Sequence, residues 1–276
     1  MSEDLVVNQA LGATARWTAS ARAQESARAD RLFNDPWAAA LAGKQGAAWL
    51  ATRSGNVAPM VIRTRYFDEF LQRVVEQPGL RQIVLVAAGL DTRAYRLDWP
   101  EGTRLFELDQ PAVLQYKVDV LQAARAKPTC ARQPVEADLM GDWVTPLIAG
   151  GFDSTQPSVW LLEGFLFYIP NEAILQILDR ISSLSAPKSW LGFDIVNGLT
   201  LIHTITHPWI EMQAQMGAPW LGSLDDPEAF LVERGWAASL TQPGSPDANY
   251  GRWTLPVIPV KLPNLPHNWY VTAQKI

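Results

Sequence analysis

The chain has 276 residues, 48% hydrophobic and 18% charged, which is enough to bury a sizeable core and too apolar for general disorder. Its 23 lysines and arginines against 28 acids leave a net charge of −5 with no basic run, so nucleic acid and anionic membrane are poor candidate partners. Cys130 is the only cysteine, which excludes an internal disulfide or a cysteine metal cluster and suits a reducing cytoplasm. The opening MSEDLVVNQA lacks the basic-then-apolar pattern of a signal peptide, and no apolar run reaches the roughly 20 residues of a bilayer span.

Residues 1–80 read as helices. Arg16 to Arg28 is alanine-rich, Asn34-Asp35-Pro36 has the form of a cap with an N1 proline, and Trp37 to Ala42 follows. Phe67, Phe70, Leu71, Val74 and Val75 recur on one helical face that Pro78-Gly79 terminates. From Arg81 strands and helices alternate. Ile83 to Ala88 and Arg104 to Leu108 are apolar runs of the buried parallel type. Pro111 then starts a helix carrying Leu114, Val118 and Leu121. Cys130 to Val135 is a weaker strand and Ser158 to Leu162 a strong one; Asn171 caps a helix with Ile174, Ile177, Leu178 and Ile181, and Trp190 to Val196 is the fifth strand. An aromatic, helix-like insertion at 197–221 and an amphipathic helix, Pro227 to Arg234, precede strands expected at Trp236 to Leu240, Trp253 to Val260 and Trp269 to Ala273.

The pattern predicts an α/β fold with a doubly wound sheet and its ligand over the carboxyl ends of the strands. Four parts follow: an N-terminal helical segment at 1–80, a cofactor-binding α/β core at 81–196, a helical lid at 197–234 and C-terminal strands completing the sheet at 235–276. The most informative stretch is VLVAAGLDTRAYRL, Val84 to Leu97, with LFELDQP twenty residues past Gly89. A strand, a glycine turn, a helix and a second strand closing on Asp109 suit a nucleoside: the glycine admits close backbone approach and the carboxylate accepts two ribose hydroxyls. A nicotinamide enzyme shares these features, but AAGLDT lacks the second and third glycines of GxGxxG.

RTRYFDEFL (63–71), AAGLDTRAYRL (87–97), FELDQP (106–111), EADL (136–139) and LLEGFLFYIP (161–170), with SARAQESARADRLFNDPWA (20–38) before them, resemble in order and spacing the leucine carboxyl methyltransferase-like family. This is a branch of the class I S-adenosylmethionine-dependent methyltransferases, and the bacterial polyketide or secondary-metabolite O-methyltransferase group is the most similar part of it. The resemblance implies a Rossmann-like, mostly parallel sheet with an antiparallel C-terminal strand, N-terminal helices and a helical lid. It implies S-adenosyl-L-methionine as cofactor, with Arg63 at the methionine carboxylate and Arg65 as the alternative. Gly89 falls beside the methionine moiety, Asp109 on the ribose, Asp138 and Leu139 around the adenine, Glu163 near the methionine end and Tyr168 on the substrate side. Ala87 departs from the pattern, which usually has glycine there; alanine suits a strand but not a positive φ.

Each residue also has a plainer reading. Gly89 could be a simple turn glycine, Asp109 the cap of the helix at Pro111, Asp91 the cap of the helix beginning at Thr92, and Arg93 and Arg96 the partners of nearby acids. Asp138 could be a solvated loop acid, and Glu163 could be half of an ion pair with Arg63 or Arg65. His203 and His207, four apart in the insertion, lack a third ligand for zinc, so no metal is expected; they are substrate-side candidates with Tyr168. Trp209 and Trp220 are the lid tryptophans expected near an apolar substrate.

The core motifs contain no histidine. A carboxylic acid with pKa about 4 is ionised at neutral pH, whereas a phenol at about 10 needs a general base. The expected reaction is therefore O-methylation of a carboxylate of a hydrophobic small molecule in natural-product tailoring. Hydroxyl or phenol methylation is the alternative, and a noncatalytic metabolite-binding protein of the same fold is the second. The insertion's Leu199, Leu201, Ile202, Ile205 and Ile210 point the same way, to an apolar organic acid.

Overall fold

The architecture is taken from a computed structural model that describes residues 3–51 and 57–276. Two helices, α1 (Glu3–Ser26) and α2 (Ala38–Ala51), pack against one another and precede α3 (Ala58–Val75). The strands are β1 (Gln82–Val86), β2 (Arg104–Asp109), β3 (Ala131–Glu136), β4 (Ser158–Leu162), β5 (Trp190–Val196), β6 (Trp236–Thr241) and β7 (Asn268–Lys275). They form one sheet of order β3-β2-β1-β4-β5-β7-β6. The first five are parallel; β7 is antiparallel to both β5 and β6. The intervening helices are α4 (Arg93–Arg96), α5 (Pro111–Ala123), α6 (Val144–Ala149), α7 (Asn171–Leu184), α8 (Gly198–Ile202), α9 (His207–Gln215) and α10 (Pro227–Val232). No helix among the described residues is long and apolar enough to cross a membrane.

Successive strand residues face opposite sides, so one apolar run feeds two cores. Val84, Val86, Trp160 and Leu162 meet Ile174, Ile177, Leu178 and Ile181 of α7 on one side. Ile83, Leu85, Val159 and Leu161 meet Phe67, Phe70, Leu71 and Val74 of α3 on the other. This double burial is why β1 and β4 are uninterrupted apolar runs rather than alternating ones. Strand order reverses between β1 and β4, which opens a crevice at their carboxyl ends.

Several expectations are corrected. Residues 253–260 form no strand: Pro256 and Pro259 deny the N–H groups a ladder needs, and Leu255, Val257 and Val260 are exposed. Asn171 is the first helical residue rather than the cap, which is Pro170; its Oδ1 accepts from Ser223 N at 2.9 Å. Asp35 does more than shape a turn. It is buried and accepts from Arg22 Nε and Thr92 Oγ1.

In α5 the inner face includes Lys117, fully buried, with Val118 only partly so. Lys117 Nζ lies 2.9 Å from Glu107 Oε1, and Arg132 donates to the other oxygen at 2.7 Å, so one buried carboxylate is shared by two cations. The insertion is two short helices rather than one. Pro208 has no N–H, and its ring would collide with the carbonyl four residues back in a continuous helix, so α8 ends at Ile202 and α9 starts afresh. His203 and His207 therefore do not share a helical face.

Candidate active site

A cavity of about 750 Å³ opens at the carboxyl ends of β1, β2, β4 and β5. This lies within the usual range for a small-molecule site. Helix α1 contributes Trp17, α3 contributes Met60 and Arg63, and α9 with the segment after it contributes Trp209, Gln213 and Trp220. The two helical additions thus cover a site whose floor is the sheet.

At one end, Gly89 N donates to Asp109 Oδ2 at 2.6 Å and Gln110 N donates to Oδ1 at 2.7 Å. The twenty-residue spacing becomes a direct contact because β1 and β2 are neighbours in register, Val86 opposite Leu108. Gly89 has φ +48°, a conformation that favours glycine. Burial raises the pKa of Asp109, opposed by those two N–H donors. Asp138 and Leu139 line the same end; Asp138 Oδ1 accepts from Met140 N at 2.9 Å.

Ala87 lies just past the end of β1 with φ +54°, so it does not continue the strand. An L-residue held left-handed is strained by roughly 1–2 kcal/mol. Ala87→Gly is therefore expected to raise stability by about 0.5–1 kcal/mol after the extra chain entropy of glycine is deducted. Thermal unfolding should show a midpoint about 1–4 °C higher, and an unchanged or lower midpoint would contradict this strain.

Toward the other end lies a dense charge network. Arg63 donates from Nε to Glu163 Oε1 at 3.1 Å and from Nη1 to Asp194 Oδ2 at 2.9 Å. Asp194 Oδ1 accepts from Gly164 N at 2.6 Å. Gly164 has φ +70°, and a Cβ there would come within 2.7 Å of the Arg63 guanidinium. Arg93, 1% exposed, reaches Asp68 at 2.7 Å and Glu163 Oε2 at 2.7 Å and also pairs with Asp91. Arg96 adds a second bond to Asp68 at 2.6 Å. Arg65 points elsewhere: it pairs with Glu69 and donates to Leu32 O, and it does not line the cavity.

Burial alone would raise the carboxyl pKa values here, and the arginines decide the outcome. Glu163 is held below its ordinary value by Arg93 and Arg63 against that burial. Asp91 is brought down to about 2 chiefly by Arg93. Asp194 remains raised, because burial outweighs Arg63. Asp91 accepts from Arg93 N at 2.6 Å, while the residue preceding α4 is Thr92. Asp194 and Asp68 escaped the sequence reading. The available signal was an acid at a core position, within the apolar strand WLGFDIV and on the inner face of α3.

Tyr168 lines the cavity. Beyond it Trp17, Trp209, Trp220 and Phe167 form a chain of rings, with centroids 6.4, 6.1 and 4.2 Å apart in turn. His203 and His207 are not among the lining residues; His207 lies 61% exposed, 3.8 Å from Glu211. His203 Nδ1 instead accepts from Ile205 N at 3.2 Å.

The sheet order, the antiparallel β7 and the crevice over β1 and β4 define a class I methyltransferase fold. Two solved structures share it. One is a DUF574 family protein from Streptomyces avermitilis, with TM-score 0.63 and 15% identity over 95% of this chain and 97% of the other. The second, provisionally named a methyltransferase, is from Thermobifida fusca, with TM-score 0.58 and 16% identity over 93% and 94%. The profile of the family described as leucine carboxyl methyltransferase matches residues 15–182. A Mycobacterium bovis protein is 39% identical over 228 residues, 76% of this chain and 72% of its own length. A Streptomyces coelicolor protein is 37% identical over 270 residues, 91% and 89%. Both are named, provisionally, S-adenosyl-L-methionine-dependent methyltransferases. The chain belongs to the leucine carboxyl methyltransferase family, and its cofactor is S-adenosyl-L-methionine.

Proposed function

We propose that the protein methylates a carboxylate of a hydrophobic small molecule, giving a methyl ester of the kind made in natural-product tailoring. S-adenosyl-L-methionine supplies an electrophilic methyl group on a sulfonium, with a neutral thioether as leaving group. The residues fit that cofactor. Asp109 has both oxygens fixed by backbone N–H groups and can accept ribose hydroxyls, beside a glycine turn with no side chain in the way. Asp138 and Leu139 would flank the adenine; Arg63 and Glu163 would hold the methionine end. Tyr168 and the ring chain would orient the acceptor. Holding nucleophile, carbon and sulfur in line can contribute about 7–11 kcal/mol.

The observation that carries the carboxylate assignment is the state of the bases around the cavity. No histidine lines it among the described residues. Glu163 and Asp91 are held ionised by arginine, and Asp194 is bound through both oxygens. An acceptor that is already ionised needs none of them as a general base. The test uses S-adenosylmethionine labelled in the methyl group with a panel of hydrophobic carboxylic acids and phenols. Product label that mild alkali releases as methanol is expected. Alkali-stable product from phenols alone would replace the ester reading with hydroxyl methylation, and absence of calorimetric heat with S-adenosylhomocysteine would support a noncatalytic role.

A further inference from the structure

Gln213, in the last turn of α9, is 1% exposed and lines the cavity. Its Nε2 and its Oε1 both lack a hydrogen-bond partner among the described residues. A buried primary amide with neither end satisfied is costly, and proteins retain few such groups without a use for them. Gln213 lies one helical turn from Trp209, on the same face, so it belongs to the aromatic end of the cavity. Two more unpartnered atoms border this cavity, Trp220 Nε1 and Asn268 Oδ1. The wall therefore combines flat apolar rings with an amide that offers a donor and an acceptor side by side.

We infer that Gln213 selects the methyl acceptor, and that the acceptor is a planar apolar molecule carrying a carbonyl oxygen next to an N–H or O–H. Such an edge meets a primary amide with two antiparallel hydrogen bonds: Nε2 donates to the carbonyl and Oε1 accepts from the neighbouring N–H or O–H. The rings of Trp209 and Trp220 supply apolar contact to the body of the molecule. A site built around such a pair discriminates strongly against an isostere lacking the donor, because Oε1 is then buried unpaired. This assignment rests on the small-molecule methyltransferase reading above and specifies its substrate class.

The matched probes are 2-naphthamide and 2-acetonaphthone, which differ by an amino group in place of a methyl. Calorimetry is done with the full chain, with and without saturating S-adenosylhomocysteine. The wild type is expected to bind 2-naphthamide at least about 10-fold more tightly than 2-acetonaphthone. In Gln213→Met that ratio falls to about 1 while S-adenosylhomocysteine affinity is kept, and the melting midpoint rises by about 2 °C as two unsatisfied atoms leave the interior. Equal affinities in the wild type, a ratio that survives in Gln213→Met, or no binding of 2-naphthamide overturns the proposal. Failure of S-adenosylhomocysteine to bind the wild type counts against the methyltransferase reading instead.

Discussion

Arg93→Leu is expected to lower folding stability by about 3–5 kcal/mol, the usual cost of removing one partner from a buried charge pair. Arg93 is the cation shared by Asp68, Asp91 and Glu163, and its side chain is 2% exposed. Leucine leaves Asp91 without its principal counter-ion and Glu163 with Arg63 alone. The melting midpoint should fall by about 10 °C, at roughly 2–4 °C per kcal/mol for a chain of this class. Arg93→Lys should not restore it, since one ammonium cannot reach three acids from a fixed plane. The pH dependence follows from the sign of the shifts. Asp91 and Glu163 have lowered pKa values in the folded protein, so their contribution is complete above their ordinary values near 4 and is lost as pH falls below them, for Asp91 toward about 2. Without Arg93 burial is the largest remaining influence on both carboxyls, and their folded pKa values are expected to rise above the unfolded ones. The deficit of the variant should therefore be largest at neutral pH and shrink toward pH 4, measured by denaturant unfolding. A deficit of constant size across that range would mean that packing, not charge, is what Arg93 supplies.

Asp109→Ala should weaken S-adenosylhomocysteine binding by about 10²–10⁴-fold, the loss of two hydrogen bonds to a charged acceptor at about 1.5–3 kcal/mol each. Stability should change much less. Burial already disfavours the Asp109 carboxylate, so part of what folding gains from the Gly89 and Gln110 donors is offset by the cost of burying its charge. Asp109→Asn separates the parts: it keeps an oxygen for Gly89 N and loses the charge, so affinity should fall between wild type and alanine. Calorimetric titration gives both numbers. Affinity within about 3-fold of wild type in Asp109→Ala would remove this carboxylate from the cofactor site.

The elements most legible in the sequence were those whose burial repeats at short range. Ser158–Leu162 and Trp190–Val196 occupy the expected bounds because both faces of each strand are covered, which gives near-continuous apolar runs. The Gly89 and Asp109 pairing was readable for a related reason, since adjacent parallel strands carry a fixed spacing into a fixed contact. Of the charge partners, the Arg63–Glu163 pair and the tendency of Arg93 and Arg96 to meet nearby acids are readable, and the more distant ones are not. Arg63 and Asp194 are 131 residues apart and meet only because β5 lies beside β4. Lys117 follows apolar neighbours on the inner face of α5, and its burial is explained by Glu107 on β2. The break between His203 and His207 follows a local rule, since Pro208 sits in the first turn of a new helix and is not accommodated inside a continuous one. The backbone of Ala87 could not be inferred from composition, because alanine is ordinarily a poor marker of a left-handed turn.

The position of β7 has a consequence for how the molecule is made. β7 is synthesised after β5 and β6, yet it lies between them. Until residues 268–275 leave the ribosome, β5 and β6 each present an open edge, the feature that invites pairing with other chains. Asn268 and Tyr270, which border the cavity, arrive in the same step. Sheet closure and completion of the ligand pocket are thus one late event in biosynthesis, and the cofactor can report on a finished fold.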